Sequence, residues 1–168
     1  MKNIIHTIIL VKPQLPENIG LVARAMDNCG FSKLIIVSPR KKLPNDKAIK
    51  SAANSSIIIK KAKIFNSIDK ALSKFHYVIA TSARKRFLNK PHKMNFKNLF
   101  KEANTNKNIA ILFGPENSGL TNKDLSLCDC IFTIPLSNNN KSLNLSHSVL
   151  LICYQWGLLL KRFDNNIE

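Results

Sequence analysis

Apolar runs alternate along this chain with polar loops rich in asparagine and lysine. Runs that fit strands lie at 4–11, 34–37, 77–80, 109–113 and 131–134, with a weaker one near 57–64. Between them the apolar period lengthens to that of a helix. Across 17–29, Ile19, Val22, Ala23 and Met26 follow the i, i+3, i+4, i+7 rule, and Gly30 stands where a helix end favours a left-handed residue. SIDKALSKF predicts a helix capped by Ser67, and a last helix runs from about 144 to 163. Strands alternating with helices predict an α/β fold whose mostly parallel sheet is flanked by helices. The expectation is a single domain over 1–168, without internal repeats or linkers.

In open α/β sheets, ligands gather at the carboxyl ends of strands. Four polar loops occupy such ends: VKPQLPENIG, ATSARKR, GPENSGLT and PLSNNNKSLNLS. That concentration points to a site.

GPENSG spaces Gly114 and Gly119 like a phosphate-cradling loop, with Thr121 at the hydroxyl position. Leu120 replaces the lysine, however, and Glu116 puts negative charge where phosphate oxygens would lie. The loop therefore reads either as a tight turn before a helix capped near Thr121 or Asn122, or as a backbone-lined wall for a ligand without phosphates. In PENIGLVARAMDNCG, Asn18 is a candidate helix cap or functional amide. Arg24 flanks the apolar stripe and leans toward the helix N-terminus, where a guanidinium can bind phosphate or steady an oxyanion. Ser142, Asn144 and Ser146 open the final helix, although capping alone needs one of them. His147 reads more readily as a packed or exposed histidine than as a base.

Composition sharpens the choice of partner. The chain has 168 residues, with 26 Lys and Arg against 10 Asp and Glu, for a net charge of +16. Because 21 of those cations are lysine, biased codon usage is one explanation, but their distribution favours a polyanion surface. Residues 40–63 and 84–107 each hold eight cations and one acid, whereas 108–160 holds two cations and three acids. Cys29, Cys128, Cys130 and Cys153 lie inside apolar segments without zinc-ligand spacing, so they read as reduced packing residues and no metal is expected. The longest apolar run, 149–160, is too short to span a bilayer. The N-terminal apolar run reads as a first strand, which gives the expectation of a cytoplasmic protein with no membrane association.

Taken in order, ENIGLVARAM, LFGPENSGL and IPLSNNNKSLNLSHSV resemble the three motifs of the SpoU/TrmH branch of the SPOUT RNA methyltransferases. The resemblance covers nearly the whole chain. It implies a SPOUT-type α/β knot, with a deep trefoil toward the C-terminal side, working as a homodimer with S-adenosylmethionine. It carries cofactor contacts onto Thr81, Ser82, Ala83, Gly114, Ile134, Lys141, Ser142 and Leu143. It carries catalysis and site architecture onto Asn18, Arg24, Glu116, Ser142 and Asn144. The implied reaction is methylation of a ribose 2′-hydroxyl in RNA, with Arg24 either the base or the group that stabilises the alkoxide. TSARKR points to the branch acting on nucleotide 32 of the tRNA anticodon loop. Family alternatives are the wobble nucleotide 34 or ribosomal RNA, and a rival outside the enzyme class is a non-catalytic RNA-binding protein. Members of that branch usually continue past the catalytic domain, whereas this sequence ends at Glu168.

Overall fold

The computed structural model describes residues 4–83, 88–137 and 142–163. Strand β1 (Ile5–Val11) leads into helix α1 (Pro16–Asn28), followed by β2 (Lys33–Val37) and α2 (Asp46–Ala52). A 3-10 turn (Ala53–Ser55) precedes α3 (Ser56–Lys60), β3 (Lys63–Phe65), α4 (Ile68–Leu72) and β4 (Tyr77–Thr81). Then come β5 (His92–Lys93), α5 (Phe96–Ala103), β6 (Asn108–Phe113), α6 (Asn122–Ser126), β7 (Cys130–Phe132) and α7 (Leu145–Leu159).

The seven strands form one sheet in the order β3-β2-β1-β6-β4-β7-β5, and every neighbouring pair is parallel. A parallel sheet needs cover on both faces, which is why its central strands read as continuous apolar runs. Along β1 and β6 the side chains alternate between two cores. Ile8, Leu10, Ile109, Ile111 and Phe113 pack with α1, α2, α3, α5 and α7. Ile9, Val11, Ala110 and Leu112 pack on the opposite face with Ala71 of α4 and Leu125 of α6.

Local chemistry sets the helix ends. Pro16 opens α1, where its missing N–H costs nothing, and Gly30 lies just beyond the helix at φ +73°. Ser67 caps α4 by accepting from the Lys70 N–H, while Thr121 and Asp124 form a reciprocal capping box on α6. The four cysteines are free and buried.

Of the expected strand near 57–64, residues 57–60 belong to helix α3 and only 63–64 to strand β3. Ile58 and Ile59 are buried in the first core while Ile57 is 50% exposed, so packing has overridden the β-branched run's strand preference. The elements the apolar pattern predicts do not include helices α2 and α5 or the two-residue β5. The trefoil expected toward the C-terminal side involves the connection from β7 to α7, of which 138–141 lie outside the described residues.

Candidate active site

Strands β4, β6 and β7 end side by side, and their loops enclose a cavity of about 430 Å³. Thr81, Ser82 and Ala83 line it from the end of β4. The whole Gly114–Gly119 loop lines it after β6, and Ile134 and Leu136 do so after β7. Ser142, Leu143 and Ser148 close it from the approach to α7 and its first turns. Phe113, Leu120 and Phe132 give it apolar walls. Seven of the residues singled out as cofactor contacts are thereby brought together; Lys141 lies outside the described residues.

The loop after β6 is held from within. A side chain at Gly114 would place Cβ 2.3 Å from the Leu120 backbone nitrogen and 2.4 Å from the Gly119 carbonyl carbon. The first glycine thus serves the loop's own closure before it serves any ligand. Gly119 adopts φ +69° and donates its N–H to the Pro115 carbonyl at 2.8 Å. Leu120, which stands where a triphosphate loop has lysine, is 2% exposed and belongs to the second core.

Glu116 ties this loop to the one after β1. Its carboxylate accepts from the Gln14 N–H at 2.9 Å, the Leu15 N–H at 3.3 Å and the Asn18 side-chain amide at 3.0 Å. Burial pushes the Glu116 carboxyl up, but the bonds from Asn18 and the backbone N–H groups of Gln14, Glu116 and Leu15 outweigh it and hold the pKa below the usual value. Glu116 is therefore an ionised pin. Asn18 is not a helix cap: Leu15 occupies that position without a side-chain bond, and Asn18 sits inside α1, 7% exposed.

Thr81 donates its hydroxyl to the Leu112 carbonyl at 2.7 Å, locking the end of β4 to β6. Asn144 caps α7, its carbonyl oxygen accepting from the Ser146 N–H at 2.9 Å and hydroxyl at 2.8 Å. Arg24 and His147 are exposed and do not line the cavity, and Arg24 forms no hydrogen bond or ion pair among the described residues. The loop after β1 likewise stays outside the cavity and reaches it through Glu116. Asn117, Ser118 and Leu136, within two of the strand-end loops, and Ser148, in the first turns of α7, also line the cavity, although the sequence singles out none of them individually.

An α/β sheet with the first motif on α1 and the other two in the loops after β6 and β7 fits a methylase: residues 6–154 match the SpoU rRNA Methylase family, and the chain belongs to it. Among individual proteins, it is 36% identical over 159 residues to the tRNA (cytidine-2'-O-)-methyltransferase TrmJ of Methanocaldococcus jannaschii, covering 90% of this chain and 67% of that protein. It is 37% identical over 152 residues to the tRNA (cytidine/uridine-2'-O-)-methyltransferase TrmJ of Sodalis glossinidius, covering 88% and 58%. The crystal structure of TrmJ from Z. mobilis ZM4 matches with a TM-score of 0.86 at 37% identity, covering 91% of this chain and 68% of that one. The chain thus spans 58% to 68% of the length of these relatives.

Proposed function

We propose that this chain transfers the methyl group of S-adenosylmethionine to a ribose 2′-hydroxyl of tRNA, at nucleotide 32 of the anticodon loop. It acts in the cytoplasm as a homodimer. The observation that carries this reading is the chemistry of the cavity. Its lining is hydroxyls, one amide, backbone and apolar side chains, and among the described residues its one charged side chain is Glu116, held ionised. A sulfonium ligand is cationic and has no phosphate, so a lining with one carboxylate and no lysine or arginine suits it. The volume also falls within the ~300–1,000 Å³ usual for small-molecule sites. Family membership and the reactions named for the TrmJ relatives support ribose methylation of tRNA. The assignment to nucleotide 32 rests on TSARKR, whose first residues line the cavity.

Thr81, Ser82, Ala83, Gly114, Ile134, Ser142 and Leu143 would hold the cofactor, which supplies an electrophilic methyl group when bound. Aligning the ribose oxygen and easing loss of its proton are the protein's work. Ser142, exposed at the rim, offers a hydroxyl, and Asn144 retains its amide nitrogen after its carbonyl caps α7. Glu116 fixes the wall on which these groups depend. A guanidinium is a poor proton acceptor, so Arg24 binds the neighbouring phosphate or the developing alkoxide while water or phosphate takes the proton.

Incubating labelled S-adenosylmethionine with tRNA and with ribosomal RNA, then mapping ribose methylation, tests the reaction and its target. Methylation at nucleotide 32 is expected; a product confined to nucleotide 34 or ribosomal RNA overturns the target. Loss of a group that stabilises a transition-state oxyanion costs ~100-fold or more, so Arg24→Ala is expected to lower transfer by about that factor. Affinity for S-adenosylhomocysteine, read by calorimetry, should stay within about twofold. Transfer at the unmodified rate would remove Arg24 from the mechanism.

A further inference from the structure

A second cavity, of about 380 Å³, opens on the other side of the Glu116 loop. Pro115, Asn117 and Ser118 line both cavities, so one short stretch of backbone separates them. The opposite wall is Lys12 and Gln14 after β1 and Ser38 and Arg40 after β2. Two cationic and four polar residues line this space, with no acidic residue among the described lining residues.

Both cations are available. Among the described residues, the side chains of Lys12 and Arg40 make no hydrogen bond or ion pair, although both are tied down through their backbones. Lys12 donates its N–H to the Val37 carbonyl at 2.7 Å, and Arg40 donates its N–H to the Pro13 carbonyl at 3.1 Å. The groove therefore stands on two strand ends braced against each other. Lys12 and Ser38 adopt φ values of +48° and +46°, uncommon for residues other than glycine. Such a conformation persists only where its surroundings enforce it; here it turns the chain sharply as it leaves each strand. The carboxylate in the shared wall, Glu116, is already engaged by three donors.

Resting on the reaction proposed above, we infer that this groove is an RNA-backbone subsite, in which Lys12 and Arg40 bind a phosphodiester flanking the nucleotide presented to the neighbouring cavity. The division of chemistry between the cavities carries the assignment. One has no lysine or arginine among its described lining residues and suits a phosphate-free cofactor; the other has two cations unpaired among the described residues and suits a polyanion. Arg40 can take a phosphate bidentately, Lys12 acts as a point charge, and Gln14, Asn117 and Ser118 can bond ribose and phosphate oxygens, whereas the Ser38 hydroxyl is already donated to the Asn66 carbonyl at 2.9 Å. Phosphate contacts of this kind fix register without reading sequence.

The test compares the full chain with a Lys12→Ala/Arg40→Ala variant in binding bulk tRNA across a salt series. A Lys33→Ala/Lys74→Ala variant, which removes exposed lysines at the opposite edge of the sheet, one opening β2 and one just before β4, controls for net charge. The two cations share one phosphodiester, and each phosphate no longer neutralised lowers the slope of log K against log salt by ~1, so the groove variant should lose about one and the control markedly less. Its KM for tRNA should rise at least several-fold, while its affinity for S-adenosylhomocysteine stays unchanged. An equal loss in the two variants, or an unchanged slope in the groove variant, overturns the subsite. So does millimolar inorganic phosphate that saturates the groove without weakening tRNA binding, because it marks a free-anion site. An unmodified chain that methylates tRNA while the groove variant keeps its slope sinks the groove alone. An unmodified chain without affinity for tRNA sinks the groove and the proposed reaction together.

Discussion

Glu116 shows how much of a residue's work depends on where its partners come from. In the sequence it argues against a polyphosphate, because a carboxylate in a phosphate cradle is repulsive. Its three donors, however, lie about a hundred positions earlier in the chain and meet it only after β1 and β6 pair. Glu116→Ala leaves the amide of Asn18, a residue 7% exposed, without its acceptor. An unsatisfied buried donor and the lost charge-assisted bonds cost on the order of 2–3 kcal/mol. Urea unfolding is expected to show that loss, with coupling between Glu116→Ala and Asn18→Ala in a double-mutant cycle. Independent, additive effects would contradict the pin. Leu120 was legible only as a missing lysine. Its positive role, anchoring the loop in the core beneath it, required the packing.

Among the elements, the long apolar strands and α1 were readable because each presents a repeated pattern to one environment. Helix α2 buries only Ala48 and Ala52, too little contrast for a period to appear. Helix α5 buries Leu99 and Ala103 and packs Phe96 and Phe100 at its edge, a helical spacing that was available in the letters. The run at 57–64 misled because three consecutive isoleucines favour a strand locally, whereas contact with α1 decides the outcome. Helix α7 is apolar nearly all round, yet Leu150, Leu151, Tyr154 and Leu158 remain 39% to 48% exposed. Such a face suits burial against a second copy of the chain, as the proposed homodimer requires. Light scattering at micromolar concentration should therefore give a dimer, and Leu151→Glu/Tyr154→Glu should give a folded monomer with reduced methyl transfer. A monomeric unmodified chain would contradict the proposed assembly.

At the scale of the whole molecule, stability should carry an acid limb set by His6. This ring is 4% exposed, lies edge-on to Phe31 and Trp156, and has no hydrogen-bond partner for either nitrogen among the described residues. Burial, and next the charge of Arg162, lower its pKa from 6.5 to about 4. The unfolded chain takes up the proton first, so this contribution is fully present above about 6.5 and is lost as the pH falls toward 4. The loss amounts to on the order of 3 kcal/mol. Denaturation at pH 7 and at pH 4.5 should show a larger drop for the unmodified chain than for His6→Leu; equal drops would refute the assignment. No helix among the described residues is long and apolar enough to cross a membrane. By itself, the sequence determined the alternation of strands and helices, the chemistry of the strand-end loops and the family motifs, because periodicity, capping and motif order are local and survive in one dimension. Only the tertiary structure decided that Glu116 is a pin, that Gly114 serves loop closure, that Arg24 stands outside the cavity, and that Lys12 and Arg40 share a groove. Those facts depend on strand order, which brings β1 between β2 and β6 and joins loops a hundred residues apart.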